Sequence, residues 1–168
     1  MKLVSKRLPA TKETLQFISP FFRYEHVQKA LDDRWKTYYG IFELFRGILS
    51  GEIRLYGVFD VDEPMRFLGF ELVWLDESKE AIEVHSFWER DLPKRAADLA
   101  ALCKDVMKED YASDGIHVRY VVSYIPEENR AAKRMAMQFG CQELGLRKDK
   151  VFYKGEYIFP CREYRKEL

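Results

Sequence analysis

Apolar residues change their spacing several times along this chain. "KLVSKRL" alternates and predicts a first strand. Thr11 follows as an N-cap for a helical turn around Leu15 and Phe17, because its hydroxyl can accept from a free N–H of that turn. Ser19 and Pro20 predict a helix restart, with Ser19 as cap and Pro20 in the first turn, where its missing N–H costs little. Val27 and Leu31 then share a face. Trp35, Tyr38, Phe42, Phe45 and Leu49 recur at helical spacing up to Gly51, predicting a second helix packed on a sheet through an aromatic stripe. A sharper reading places Tyr38 and Tyr39 along a substrate groove.

The period then shortens to two. "IRLYGVFDV", "RFLGFELVWLD" and "AIEVHSFW" are separated by "DEPM" and "ESKE", polar turns that predict an antiparallel meander. "DLPKRAADLAALCKDVMKEDYA" returns to helical spacing through Leu99, Leu102, Cys103, Val106 and Met107, with Asp91 as cap and Pro93 in the first turn. "IHVRYVVSYI" has a nearly continuous apolar centre, as a strand internal to a sheet does. A shorter helix carries Ala132, Met135, Ala136 and Phe139 on one face. Lys154-Gly155 then joins two aromatic strands in a hairpin. The order is β-α-α-β-β-β-α-β-α-β-β, a mixed α/β sheet rather than a doubly wound one, because three strands run together before the long helix.

Composition narrows the class. At 168 residues with 47% hydrophobic and 15% aromatic content, one packed domain over 1–168 is expected. Lys+Arg 28 against Asp+Glu 28 leaves no net charge, which argues against a nucleic-acid partner, since phosphate contacts dominate such affinity. No apolar run approaches a membrane span, and no apolar stretch follows the first lysines, so neither a membrane partner nor a signal peptide is expected. Cys103, Cys141 and Cys161 are far apart and lack CxxC spacing, which fits reduced thiols in a cytoplasmic protein without a metal site.

Two motifs carry chemistry. "NRAAKRMAMQFG" opens a helix with Asn129, has Ala132 three residues later and stops at Gly140. Taken alone, this is a capped helix, since Asn is a favoured N-cap and Gly the commonest stop. With the order of elements, it resembles the second signature of the GNAT superfamily of acyl-CoA N-acyltransferases, and Arg134 fits a variant of that signature. The first signature, a glycine-rich pyrophosphate loop, departs here. If Arg90 matches its leading residue, Pro93 and Arg95 stand where glycines belong. Arg90, Lys94 and Arg95 then offer cationic side chains in place of backbone N–H groups; a solvated basic helix start accounts for them equally.

The resemblance implies a GNAT-like fold and transfer of an acyl group from acetyl-CoA or another acyl-CoA to an amine by direct attack. The acceptor would be a small-molecule amine or a protein amine, and a homodimer is compatible with it. The implied acyl-CoA site comprises Phe87, Arg90, Lys94, Arg95, Ala96, Asn129 and Arg134. For the chemistry, the amine must be neutral and the leaving thiolate protonated. In "AIEVHSFW", Glu83, His85 and Phe87 share one face of the strand and Ile82, Val84 and Ser86 the other. Glu83 is the first candidate base and His85 the second; a solvent-facing polar pair is the plain alternative. The family's helix Tyr falls on Ala136, which leaves Tyr124, Tyr153 or Tyr157 as candidate acids, Tyr153 being preferred. The rival function is a catalytically inactive GNAT-like binding or assembly module, with Phe152, Tyr153, Tyr157 and Phe159 as its partner surface.

Overall fold

Seven strands share one sheet in the computed structural model, which describes residues 2–62, 66–89 and 96–168. They are β1 (Leu3–Arg7), β2 (Arg54–Asp60), β3 (Arg66–Leu75), β4 (Ala81–Trp88), β5 (Tyr120–Pro126), β6 (Gln142–Lys154) and β7 (Tyr157–Glu167). Their spatial order is β1-β2-β3-β4-β5-β7-β6. All neighbours pair antiparallel except β4 and β5, which are parallel. The mixed sheet and the predicted order of strands are therefore observed, with three helices rather than two between β1 and β2. Part of the "DEPM" turn and the "RDLPKR" stretch lie outside the described residues.

Between β1 and β2 the helical stretch is broken into pieces: α1 (Lys12–Ile18), α2 (Glu25–Ala30) and α3 (Tyr38–Ser50), with 3-10 turns at Ser19–Arg23 and Asp33–Lys36. Thr11 caps α1 as expected. A helical turn does restart at Ser19–Arg23 with Pro20 in its first turn, but it is 3-10 and Ser19 is not its cap. The Ser19 backbone is already helical, and its hydroxyl donates to the Gln16 carbonyl, bonding back into the turn it follows. The aromatic stripe splits: Trp35 and Phe45 pack against the core, and the rest of it points outward. Tyr38 is 89% exposed, and Tyr39, Phe42 and Leu49 are exposed with it, while Leu44, Gly47 and Ile48 are buried. Gly47 lets the helix close on Ile53, since a Cβ there would sit 2.7 Å from the Ile53 Cδ1. Neither Tyr38 nor Tyr39 reaches the cleft described below.

The sheet carries a core on each face. Phe70, Leu72 and Phe87 pack with α1–α3 through Phe21, Phe22, Val27, Leu44 and Ile48. Val73, Ile82 and Trp88 pack with α4 (Ala96–Ser113) through Leu99, Cys103 and Met107. A smaller cluster under α5 (Arg130–Gln138) holds Ala136, Ile125, Cys141 and Tyr164. No helix among the described residues is long and apolar enough to cross a membrane.

The far end of α4 is fastened by charge. The Arg54 side chain, 7% exposed, pairs with Asp110 at 2.8 Å and Asp114 at 2.5 Å. Its guanidinium lies 3.7 Å from the Tyr111 ring centroid. Asp110 also accepts from Arg7 at 2.9 Å and from the Tyr56 hydroxyl at 2.5 Å. Burial works against the ionised form, yet donors from Tyr56, Arg54 and Arg7 hold the Asp110 carboxyl below its usual range.

Candidate active site

The sheet forks between β4 and β5. These strands share only three register pairs, Ala81 with Tyr120, Ile82 with Val121 and Glu83 with Val122. Beyond Glu83 they separate, while β4 stays paired with β3 and β5 with β7. The Ser123 hydroxyl donates to the Val84 carbonyl at 3.2 Å, satisfying the first acceptor left by the fork. The gap widens into a cleft of about 880 Å³, walled by β4, β5, α5, residues 26–35 and the middle of β6.

Glu83 and His85 stand at the fork. The His85 Nε2 lies 2.8 Å from the Glu83 Oε1, and both side chains line the cleft. Glu83 is 8% exposed, so the pair does not belong to an open sheet face. His85 stacks on Trp74 at 4.6 Å and 17° and meets Trp35 at 5.2 Å and 41°. Trp74 arrives from β3 and Trp35 from the second 3-10 turn. Two indoles and a carboxylate therefore fix the imidazole plane.

The other predicted residues separate. Phe87 lines the cleft but stacks on Phe70 at 5.0 Å, so it belongs equally to the core. Asn129 lines the cleft too. Its side chain accepts from the Ala132 N–H at 3.1 Å, and Gly140 follows α5 at φ +79°, so the capping account of both residues holds. Arg134 lines the cleft, as does Lys104. Ala96 is the first residue of α4, while Arg90, Lys94 and Arg95 lie outside the described residues.

The candidate acids do not assemble. Tyr153 is not brought to the cleft. Its N–H donates to Asp32 at 3.0 Å, and its ring lies under the Arg34 guanidinium at 4.4 Å. Tyr124 lines the cleft, but its hydroxyl donates to Asp76 at 3.1 Å; burial and that carboxylate push its phenol far up. Tyr157 is exposed on the hairpin. Ala136 is buried against the cleft wall with no polar group to offer.

Three residues were missed in the sequence. His26, which has no partner visible in the sequence, places its Nε2 2.9 Å from the Trp88 carbonyl and lines the cleft. Ser86 lines it from the α4 side of β4. Behind Ser86 sits Glu71, fully buried on β3, with burial pushing its carboxyl up to about 7 against hydrogen bonds from Cys103 and Ser86. Its signal was a lone charge inside the apolar run "FLGFELVWL".

Comparison with known proteins bears on the fold. No protein-family model matches the sequence, and no curated protein matches it. Solved structures do match. A GNAT-family acetyltransferase from Bacillus anthracis superposes with a TM-score of 0.69 at 10% identity, covering 99% of this chain and 95% of that one. Spermidine N-acetyltransferase from Vibrio cholerae, solved with CoA and spermine, gives 0.67 at 14% identity, covering 98% and 95%. The fold is that of GNAT acetyltransferases.

Proposed function

We propose that this chain is an N-acyltransferase that moves an acyl group from acetyl-CoA or a related acyl-CoA to an amine. The observation that carries this reading is the fork of β4 and β5, with the Glu83–His85 pair at its apex. Beyond the fork, the backbone groups of β4 that face away from β3, other than the Val84 and Trp88 carbonyls, are open to an extended ligand with amide groups. Lys104 and Arg134 offer positive charge toward phosphates, with Arg90, Lys94 and Arg95 as further candidates at the start of α4. The V. cholerae neighbour was solved with CoA, which makes CoA the first ligand to test.

His85 is assigned as the proton acceptor and Glu83 as the group that orients it, reversing their ranking in the sequence. A neutral imidazole that donates Nε2–H to Glu83 keeps the Nδ1 lone pair for a proton from the attacking amine. The flanking indole faces favour the imidazolium that results. Asp32 and Arg34 bind the tip region of the β6–β7 hairpin through Tyr153 N–H and the Val151 carbonyl, fixing the wall opposite β4. An aliphatic polyamine is the first acceptor class to assay, because the neighbour acts on spermidine.

The test is thermal: millimolar acetyl-CoA raises the melting temperature, and absence of a shift rejects the reading. Ala136, standing where a proton donor is expected, favours a second reading as an acyl-CoA-binding module without turnover. Binding with no transfer across an amine panel would select it.

A further inference from the structure

We propose that Ser86 delivers a proton to the departing sulfur of the acyl donor, with Glu71 behind it as the positioning residue and the proton's source. This rests on the acyl-transfer reading above, and supplies the acid which Ala136 and Tyr124 cannot.

Glu71 and Ser86 are register partners on β3 and β4, and the Ser86 hydroxyl lies 3.3 Å from the Glu71 Oε1. Both residues line the cleft, Ser86 half-buried and Glu71 only 1% exposed. The Glu71 Oε2 is buried without a hydrogen-bond partner. The Cys103 thiol from α4 completes this pocket, and no cation pairs with Glu71 among the described residues. An ionised carboxylate with one bare oxygen in an apolar interior is disfavoured, so burial shifts the group toward its protonated form, with a value of about 7.

The placement fits a displacement reaction. His85 and Ser86 are consecutive on β4, so their side chains leave opposite faces of the sheet at the fork. His85 faces the α1–α3 layer through Trp35, and Ser86 faces α4 through Glu71. An amine nitrogen approaching from the His85 side forms the new C–N bond, and the C–S bond breaks toward the Ser86 side. Ser86 gives its hydroxyl proton to the sulfur and takes the Glu71 proton, leaving a carboxylate. His85 holds the proton lost by the amine. Exchange with water resets both groups: His85 releases one proton and Glu71 regains one, so the balance closes without another reagent.

The experiment has two arms. Without turnover, infrared difference spectra between wild type and Glu71→Gln isolate the Glu71 carboxyl. The neutral-acid carbonyl band is expected to persist to about pH 7 in wild type, and CoA is expected to shift its titration while desulfo-CoA does not. Ser86→Ala, at a half-exposed position that tolerates truncation, abolishes that sulfur-dependent shift. With turnover, Glu71→Gln and Ser86→Ala each lower the rate with acetyl-CoA by about 10²-fold, and Ser86→Thr restores most of it. The same variants run near the wild-type rate on an acetyl thioester of an acidic aryl thiol, whose sulfur leaves unprotonated; a merely structural defect would slow both donors. If Glu71 titrates as an ordinary carboxylate, or CoA and desulfo-CoA act alike, the proposal fails while acyl transfer stands. If CoA does not bind at all, the acyl-transfer reading fails and this one with it.

Discussion

Asp110 and Glu71 are both carboxyl groups between the sheet and α4, and their surroundings drive them to opposite states. Asp110 receives donors from Arg7, Arg54 and Tyr56 and remains ionised. Glu71 is more deeply buried, meets one long hydrogen bond and a thiol, and is held toward its neutral form. The first arrangement spends every acceptor on holding β1, β2 and α4 together. The second leaves an oxygen unused beside a cleft. Fastening and reactivity thus differ by the donors supplied to the same functional group.

Arg54→Met breaks the comparison at its stronger end. It leaves Asp110 with Arg7 and the Tyr56 hydroxyl alone, frees Asp114, and is expected to cost about 3 kcal/mol, read by urea unfolding. The fraction that remains folded should bind CoA as wild type does. His85→Gln keeps a donor toward Glu83 but removes the titrating ring; turnover is expected to fall about 10²–10³-fold with little change in melting temperature.

Glu71→Gln sharpens the comparison through pH. Because the folded carboxyl sits at about 7 and an unfolded glutamate near about 4.3, the folded state holds the extra proton between them. Wild-type stability therefore falls as pH rises across that window, by a few kcal/mol, and levels off above it. The Gln variant should lose this slope. Asp110 runs the other way: its depressed value gives stability present above the ordinary carboxylate range and lost as pH drops through the folded value. The smallest effect is Asn129→Ala, expected to cost about 1 kcal/mol as a lost cap, measured by calorimetry with and without acetyl-CoA. A weaker acetyl-CoA shift in that variant would give Asn129 a second role.

The strands were legible because their two-residue period has few rivals, and the same alternation placed Glu83 beside His85. What held them was not legible: Trp35 and Trp74 come from distant segments, and their meeting at His85 is a tertiary fact. In α3, a correct period only partly gave the face, since Phe45 packs on the core while Tyr38, Phe42 and Leu49 of the same stripe are exposed. The smaller face around Gly47 packs too, because close approach to the sheet rewards a missing side chain. Asn129 and Gly140 were read both as caps and as a binding signature; the geometry confirms the caps. Glu71 was present in the sequence as an anomaly, but only its register with Ser86 gave it a neighbour to act through.

The short seam between β4 and β5 also has a mechanical meaning. Four strands on one side and three on the other form two laddered panels, joined along three residue pairs and one serine hydroxyl. Load applied across the panels concentrates on that line, because every other ladder is longer. A ligand wedged into that crease would act as a splint across the shortest ladder of the sheet.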